Sequence, residues 1–213
     1  MTMLLETVRV RHGRAPLWPR HMARLERSCR ALGISIPAIP EPIGGDDRAV
    51  RFEVGGGLHS PRITERPVGD LTPVRLVVSE EPHPGYPHKT TDRESFQLAL
   101  AEARGLGADD ALLMTVEGWV AEGCIWTLFW WEGDRLATPA LDLNILPGVA
   151  RGRVLELEAD EGVEERRVRV DDLAGRSLFV ANAVRGIVPV VRLGGRRVPD
   201  HPLTAGLAEA FWP

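Results

Sequence analysis

Between Ala111 and Ala137 the chain passes through four short stretches rich in β-branched and aromatic residues: Ala111–Val116, Trp119–Glu122, Ile125–Trp131 and Arg135–Ala137. Glu117-Gly118 and Glu132-Gly133-Asp134 separate them with turn residues. Segments this short, punctuated this regularly, read as strands joined by tight turns, so the centre of the chain is expected to be a sheet.

On either side the pattern changes period. Leu4–Val10 alternates like a strand and runs into a His12-Gly13-Arg14 turn. A helix is expected next. Pro19 fits its first turn, Met22, Leu25, Cys29 and Leu32 recur at three- and four-residue steps, and Gly33 ends it. Residues 37–48 hold three prolines, two glycines and two aspartates and read as a loop. Further strands are expected at Ala49–Val54, Pro61–Arg66 and Val74–Val78, with Gly55-Gly56-Gly57 as a hairpin turn. Asp92–Gly105 has helical periodicity with Asp92 as its N-cap, and Val149–Glu161 follows Pro147-Gly148 as another helix. Glu164–Val170, Leu178–Ala181 and Ile187–Leu193 supply the remaining strands. The fold class is mixed α/β, of the α+β kind: a small N-terminal α/β lobe over residues 1–80, a proline-rich linker at 81–87, and a larger strand-rich lobe over 88–213.

Composition narrows the partners. With 44% hydrophobic residues in 213, a real core is affordable, and 26 basic against 30 acidic residues give a net charge of −4. A general basic footprint for nucleic acid or an anionic membrane is absent, so small molecules are the expected partners. The longest stretch without a charge, Ala31–Pro40, is ten residues and contains two prolines. A membrane span needs roughly 18 or more apolar residues. Glu6 and Arg9 come too early to leave room for the apolar region of a signal peptide, so a cytoplasmic location is expected. Cys29 and Cys124 lack zinc-type spacing and read as buried thiols, and no metal site is expected.

One compositional fact bears on chemistry. Of the 26 basic residues, 25 are arginine and one is lysine, Lys89. A guanidinium stays protonated and does not condense with an aldehyde, whereas an amine can. Lys89 is therefore a candidate nucleophile. It follows the linker, Glu122 closes a short strand, and Pro147-Gly148-Val149-Ala150 opens a helix whose N-terminal N–H groups suit a phosphate. An amine, a carboxylate and a phosphate cradle are what pyridoxal phosphate needs: an imine with its aldehyde, an acid beside its ring nitrogen and an anchor for its phosphate.

The segment Gly118-Trp119-Val120-Ala121-Glu122, running on to Thr127-Leu128-Phe129, resembles the central motif of the fold-type IV, or class IV, pyridoxal-phosphate enzymes. In that family a Gly-x-Val-x-Glu segment leads to Asn-Leu-Phe. Four further blocks resemble it in order: His21-Met22-Ala23-Arg24-Leu25, His88-Lys89-Thr90-Thr91-Asp92-Arg93, Leu146-Pro147-Gly148-Val149-Ala150-Arg151, and Ala181-Asn182-Ala183 through Pro189-Val190. The resemblance covers about Glu6 to Leu193. Within the family the blocks are most similar to 4-amino-4-deoxychorismate lyase, which implies release of pyruvate and 4-aminobenzoate in folate synthesis. The same blocks serve branched-chain and D-amino-acid aminotransferases, and a degenerate, non-catalytic relative is a third reading. By resemblance, Lys89 is the Schiff-base lysine and proton carrier, Arg24 binds the cofactor phosphate, and Glu122 pairs with the ring nitrogen. Val149 and Ala150 give N–H groups to the phosphate, Asn182 and Ala183 complete the cofactor wall, and Arg9 faces the carboxylates of a small-molecule amino substrate. A homodimer is implied as well. The sequence departs from the pattern at Thr127, where the family has Asn, and at Ala150, where it has Thr, so a phosphate contact is expected to be missing. Relatives carry a strand and loop ahead of the segment matching Leu4–Val10, so either a shortened small lobe or a misassigned start is expected.

Overall fold

The computed structural model describes residues 2–69 and 72–213. Strands β1 (Leu4–Val10), β2 (Arg48–Val54) and β3 (Arg62–Pro67) form a three-stranded antiparallel sheet in that order, with Thr7 opposite Arg51 and Phe52 opposite Ile63. Helix α1 (Trp18–Leu32) lies against it, burying Leu25 and Cys29 on Leu4 and Val54. Gly33 ends the helix in the left-handed conformation (φ 65°), its N–H donating to the Cys29 carbonyl, a geometry for which glycine carries no Cβ penalty.

The second sheet has nine strands. β4 (Val74–Val78), β5 (Asp110–Met114), β6 (Val120–Gly123), β7 (Thr127–Glu132), β8 (Arg135–Pro139), β9 (Val163–Arg166), β10 (Leu178–Asn182) and β11 (Gly186–Leu193) run in the order β6-β5-β4-β11-β10-β7-β8-β9, and the short β12 (Arg196–Arg197) pairs with β11. The edge strand β6 also packs against β7 and β8, so the sheet curls on itself. β7 is buried on both faces. Leu128 and Trp130 point into one cluster with Val180 and Val190, while Phe129 and Trp131 point into another with Phe179 and Phe211. That explains the unbroken apolar run Leu-Phe-Trp-Trp, since a strand covered on both sides loses the polar half of its alternation. Burying each of these large side chains contributes about 2–3 kcal/mol.

Helices α2 (Glu94–Gly105), α3 (Val149–Leu157) and α4 (Pro202–Ala210) complete the chain. α2 sits on β5, and α3 packs on β10 with α4 beside it. α4 was not among the sequence expectations; it docks through Leu207 and is followed by the fully buried Phe211.

Two expectations are corrected. The linker at 81–87 does not mark the change of sheet: β4 pairs parallel with both β5 and β11, so Val74–Val78 belongs to the nine-stranded sheet and not to a lobe ending at 80. Parallel neighbours are joined by long crossovers, so their pairing leaves no local signature. Asp92 is not the cap of α2, because the helix starts at Glu94, with Arg93 at the cap position and no side-chain cap bond.

Candidate active site

A cleft of about 400 Å³ opens between the two sheets. Thr7, Arg24 and Arg66 line it from the three-stranded side, and Lys89, Glu122, Thr127, Gly148, Val149, Ala150, Asn182 and Ala183 from the other. Of the expected site residues only Arg9 is missing from its wall. Arg9 Nη2 lies 2.6 Å from Asp47 Oδ2, and the strand carries its side chain into that ion pair, so the expected substrate contact is not brought to the cleft.

Lys89 does not open a helix. It lies five residues ahead of α2, in an extended segment docked on the start of β1: its carbonyl accepts from Leu5 N (2.8 Å), and Thr91 N–H donates to the Met3 carbonyl (2.8 Å). Thr90 is tied at both backbone groups to the Tyr86 hydroxyl, at 2.7 and 2.6 Å. These bonds hold the half-buried amine at the cleft. Burial depresses its pKa, the nearby guanidinium groups of Arg93 and Arg24 lower it further against the pull of Glu6 and Glu122, and it falls to about 7. Near neutral pH a large share of Lys89 is the free amine.

Glu122 is 5% exposed at the end of β6. Its Oε1 faces His83 Nε2 at 2.9 Å and accepts the Leu146 N–H at 3.1 Å. The Gly85 N–H donates to His83 Nδ1 (3.2 Å), so Nδ1 is the acceptor nitrogen and Nε2–H is the donor to Glu122. Oε2 is left as the oxygen without these partners. His83 was not singled out in the sequence, where it sits among prolines and looks like loop.

Arg24 is clamped from behind. Its Nε and Nη2 donate to Glu6 Oε1 (2.8 Å) and Oε2 (2.5 Å), a bidentate pair that leaves Nη1 as the nitrogen not engaged by Glu6. His21 Nδ1 is 2.6 Å from the same Glu6 Oε2. Burial alone would raise the Glu6 carboxyl, but the Arg24 guanidinium and His21 outweigh it and hold the pKa at about 2. Burial lowers the pKa of His21, consistent with a neutral ring giving its Nδ1–H to Glu6. The sequence signal for this network was present in the alternation of β1, which turns Glu6 inward with Leu4 and Val8.

At the other end of the cleft α3 begins with no side-chain cap, so the Val149 and Ala150 N–H groups have no intrahelical partner. Thr127, 6% exposed at the head of β7, brings its hydroxyl to this turn: a Cβ added at Gly148 would lie 3.0 Å from Thr127 Oγ1. Asn182 Oδ1 accepts from Val184 N (3.0 Å) and Arg185 N (2.8 Å), fixing the β10–β11 turn as a wall with Ala183.

Residues 3–44 and 59–193 match the amino-transferase class IV family. The chain belongs to that family. An aminodeoxychorismate lyase from Vibrio harveyi is 26% identical over 230 residues, spanning 92% of this chain and 84% of the lyase. A protein of Thermotoga maritima named a probable branched-chain-amino-acid aminotransferase is 34% identical over 131 residues, 59% of this chain and 47% of that protein. The crystal structure of the branched-chain aminotransferase from Thermoproteus uzoniensis with norvaline superposes with a TM-score of 0.85 at 22% identity, covering 98% of this chain and 84% of the other, and shows a shared fold. The architecture is thus that of the fold-type IV enzymes, and this class IV chain is an enzyme. Class IV enzymes are generally pyridoxal-phosphate-dependent. Among the described residues no helix is long and apolar enough to cross a membrane.

Proposed function

We propose that this enzyme is a pyridoxal-phosphate-dependent lyase that releases pyruvate and 4-aminobenzoate from 4-amino-4-deoxychorismate, a step toward folate. The observation that carries the coenzyme reading is that the chain's single lysine opens into the same cleft as Glu122 and the uncapped start of α3. The donor set suits that coenzyme at each end. Glu122 Oε2 has no partner among the bonds that hold Oε1 and can accept a ring N–H, while Val149 and Ala150 N–H, Arg24 Nη1 and the Thr127 hydroxyl can face a phosphate. Bound there, the coenzyme supplies an aldehyde for exchange with an amine and a ring that accepts electrons from the substrate carbon.

Each residue then has a task. Lys89, whose amine is in large part uncharged near neutral pH, would hold the coenzyme through its aldehyde carbon and would hold or deliver the proton at the substrate carbon. His83 holds Glu122 through Oε1, which leaves Oε2 to take the ring nitrogen, and Glu6 holds Arg24 so that Nη1 would be left for the phosphate. Asn182 and Ala183 close the wall. Ala150 brings no hydroxyl, and Thr127 brings one to the same turn, beside Gly148.

Support for a lyase comes from the match to the Vibrio lyase, which spans nearly the whole of both chains. An aminotransferase is the second reading, favoured by the higher local identity to the Thermotoga protein. Pyruvate release from aminodeoxychorismate, absent from a Lys89→Ala control, is the expected result. No pyruvate above that control, together with a spectral change of the coenzyme on adding an amino acid alone, assigns the aminotransferase instead. We further propose a homodimer, for which sedimentation should give twice the 23.4 kDa chain mass.

A further inference from the structure

The charge around the cleft is lopsided. Arg66, Arg93, Arg104 and Arg185 line it together with Arg24 and Lys89, and among the described residues Glu122 is the one acidic side chain in its lining. Elsewhere in the molecule arginines find carboxylates: Arg9 with Asp47, Arg51 and Arg62 with Glu53, Arg75 with Asp109, Arg167 with Asp142. Among the described residues, none of Arg66, Arg93, Arg104 and Arg185 has an acidic group within ion-pair distance. Converging cations without counter-charges repel one another, and an anion entering the cleft relieves that repulsion.

Two of the four are already oriented. Arg93 donates to the Cys124 carbonyl and lies over the Phe96 ring, 4.7 Å from its centroid. Its position is spent on shaping the wall. Arg185 is half-buried, 5.9 Å from the Trp126 ring centroid, and its backbone is fixed by Asn182. Its guanidinium reaches across to the three-stranded side: a Cβ added at Gly69 would lie 3.5 Å from Arg185 Nη2. Gly69 follows β3 by two residues, and β3 carries Arg66. Among the described residues, the two sheets therefore each bring to the same mouth an arginine with no acidic group within ion-pair distance.

We infer that Arg66 and Arg185 form a carboxylate-binding mouth, selecting an amine substrate that carries a second carboxylate remote from its amino group. This rests on the proposed reading of the cleft as the substrate site. A branched-chain amino acid offers one carboxylate and an apolar tail, which leaves the outer cations without a partner. A ring dicarboxylate offers the charge the mouth lacks, and a bidentate guanidinium contact fixes its orientation.

The test uses isophthalate, a ring with two carboxylates, and benzoate, the same ring with one, titrated calorimetrically into the full-length protein with and without pyridoxal phosphate. Isophthalate should bind at least about tenfold more tightly than benzoate, and Arg66→Ala and Arg185→Ala should each remove about tenfold of its affinity. The coenzyme's visible absorbance should be the same in the variants as in the wild type. Equal binding of the two acids, or isophthalate affinity unchanged in the Arg66→Ala/Arg185→Ala double variant, overturns the inference. The coenzyme reading is judged separately: if pyridoxal phosphate fails to bind the wild-type protein, that reading falls, while the isophthalate titration of the protein alone still decides the arginine mouth.

Discussion

His83 and Glu122, 39 residues apart in the chain, meet through a 2.9 Å contact from Nε2 to Oε1 inside the protein. The ring comes from the proline-rich segment after β4 and the carboxylate from the edge strand β6. The histidine is itself held by Gly85 N–H and wedged edge-on against Phe96, at 5.5 Å between ring centres. A buried carboxylate keeps a defined orientation only while its oxygens have partners, so His83 acts on the site through Glu122.

His83→Leu should therefore weaken pyridoxal-phosphate binding by about tenfold to a hundredfold, the usual range for losing a hydrogen bond to a charged group. His83→Gln, whose amide can still donate, should recover part of the loss. Titration of the visible absorbance in the three proteins checks this, and identical affinities would remove His83 from the site.

Glu6 couples the fold to pH. Its carboxyl has a pKa of about 2 in the fold against 4.5 for the free group, so the unfolded chain binds more protons in that window. The stabilisation is complete above pH 4.5 and is lost as the pH falls toward 2. Glu6→Gln strips the buried Arg24 of its counter-charge and should cost about 3–5 kcal/mol at pH 7, while flattening the acid dependence. Urea unfolding at pH 7 and at pH 3 for both proteins measures the two effects.

The lysine titration has the same sign in a higher pH window. Lys89 drops from 10.5 to about 7 on folding, so between those values the unfolded chain holds a proton that the folded one has released. Stability rises with pH through that window, and the protonated amine weakens the fold below it. The rate of borohydride-trapped labelling of Lys89 by an aldehyde should have its midpoint near pH 7. Arg93→Ala, which removes a neighbouring positive charge, should move that midpoint upward.

Thr127 should carry a phosphate contact that position 150 lacks. Thr127→Val removes the hydroxyl and keeps the shape, and is expected to weaken pyridoxal phosphate by about tenfold while leaving phosphate-free pyridoxal unaffected. Ala150→Thr should strengthen the phosphate form. Equal losses for both aldehydes would mean that Thr127 serves packing alone.

Much of the molecule was legible from local pattern. β1, β2, β4, β10 and α1 lie within a residue or two of where alternation, helical spacing and Gly33 put them, because these signals act over a few neighbouring residues. The blocks around Lys89, Glu122, Gly148 and Asn182 likewise stood out as ordered sequence, and all four reach the cleft. Arg9 looked equivalent to them in the sequence, yet Asp47, from the loop after α1, captures it.

What the chain determined by itself was the set of strands and helices, the strand-rich centre, and the single amine that could serve as nucleophile. Which sheet Val74–Val78 joins, which acid holds Arg24, which histidine orients Glu122 and which hydroxyl reaches the α3 turn were settled only by tertiary structure. Those contacts join residues far apart in sequence, and their energy comes from desolvation and pairing across the cleft, which a short window of residues does not contain.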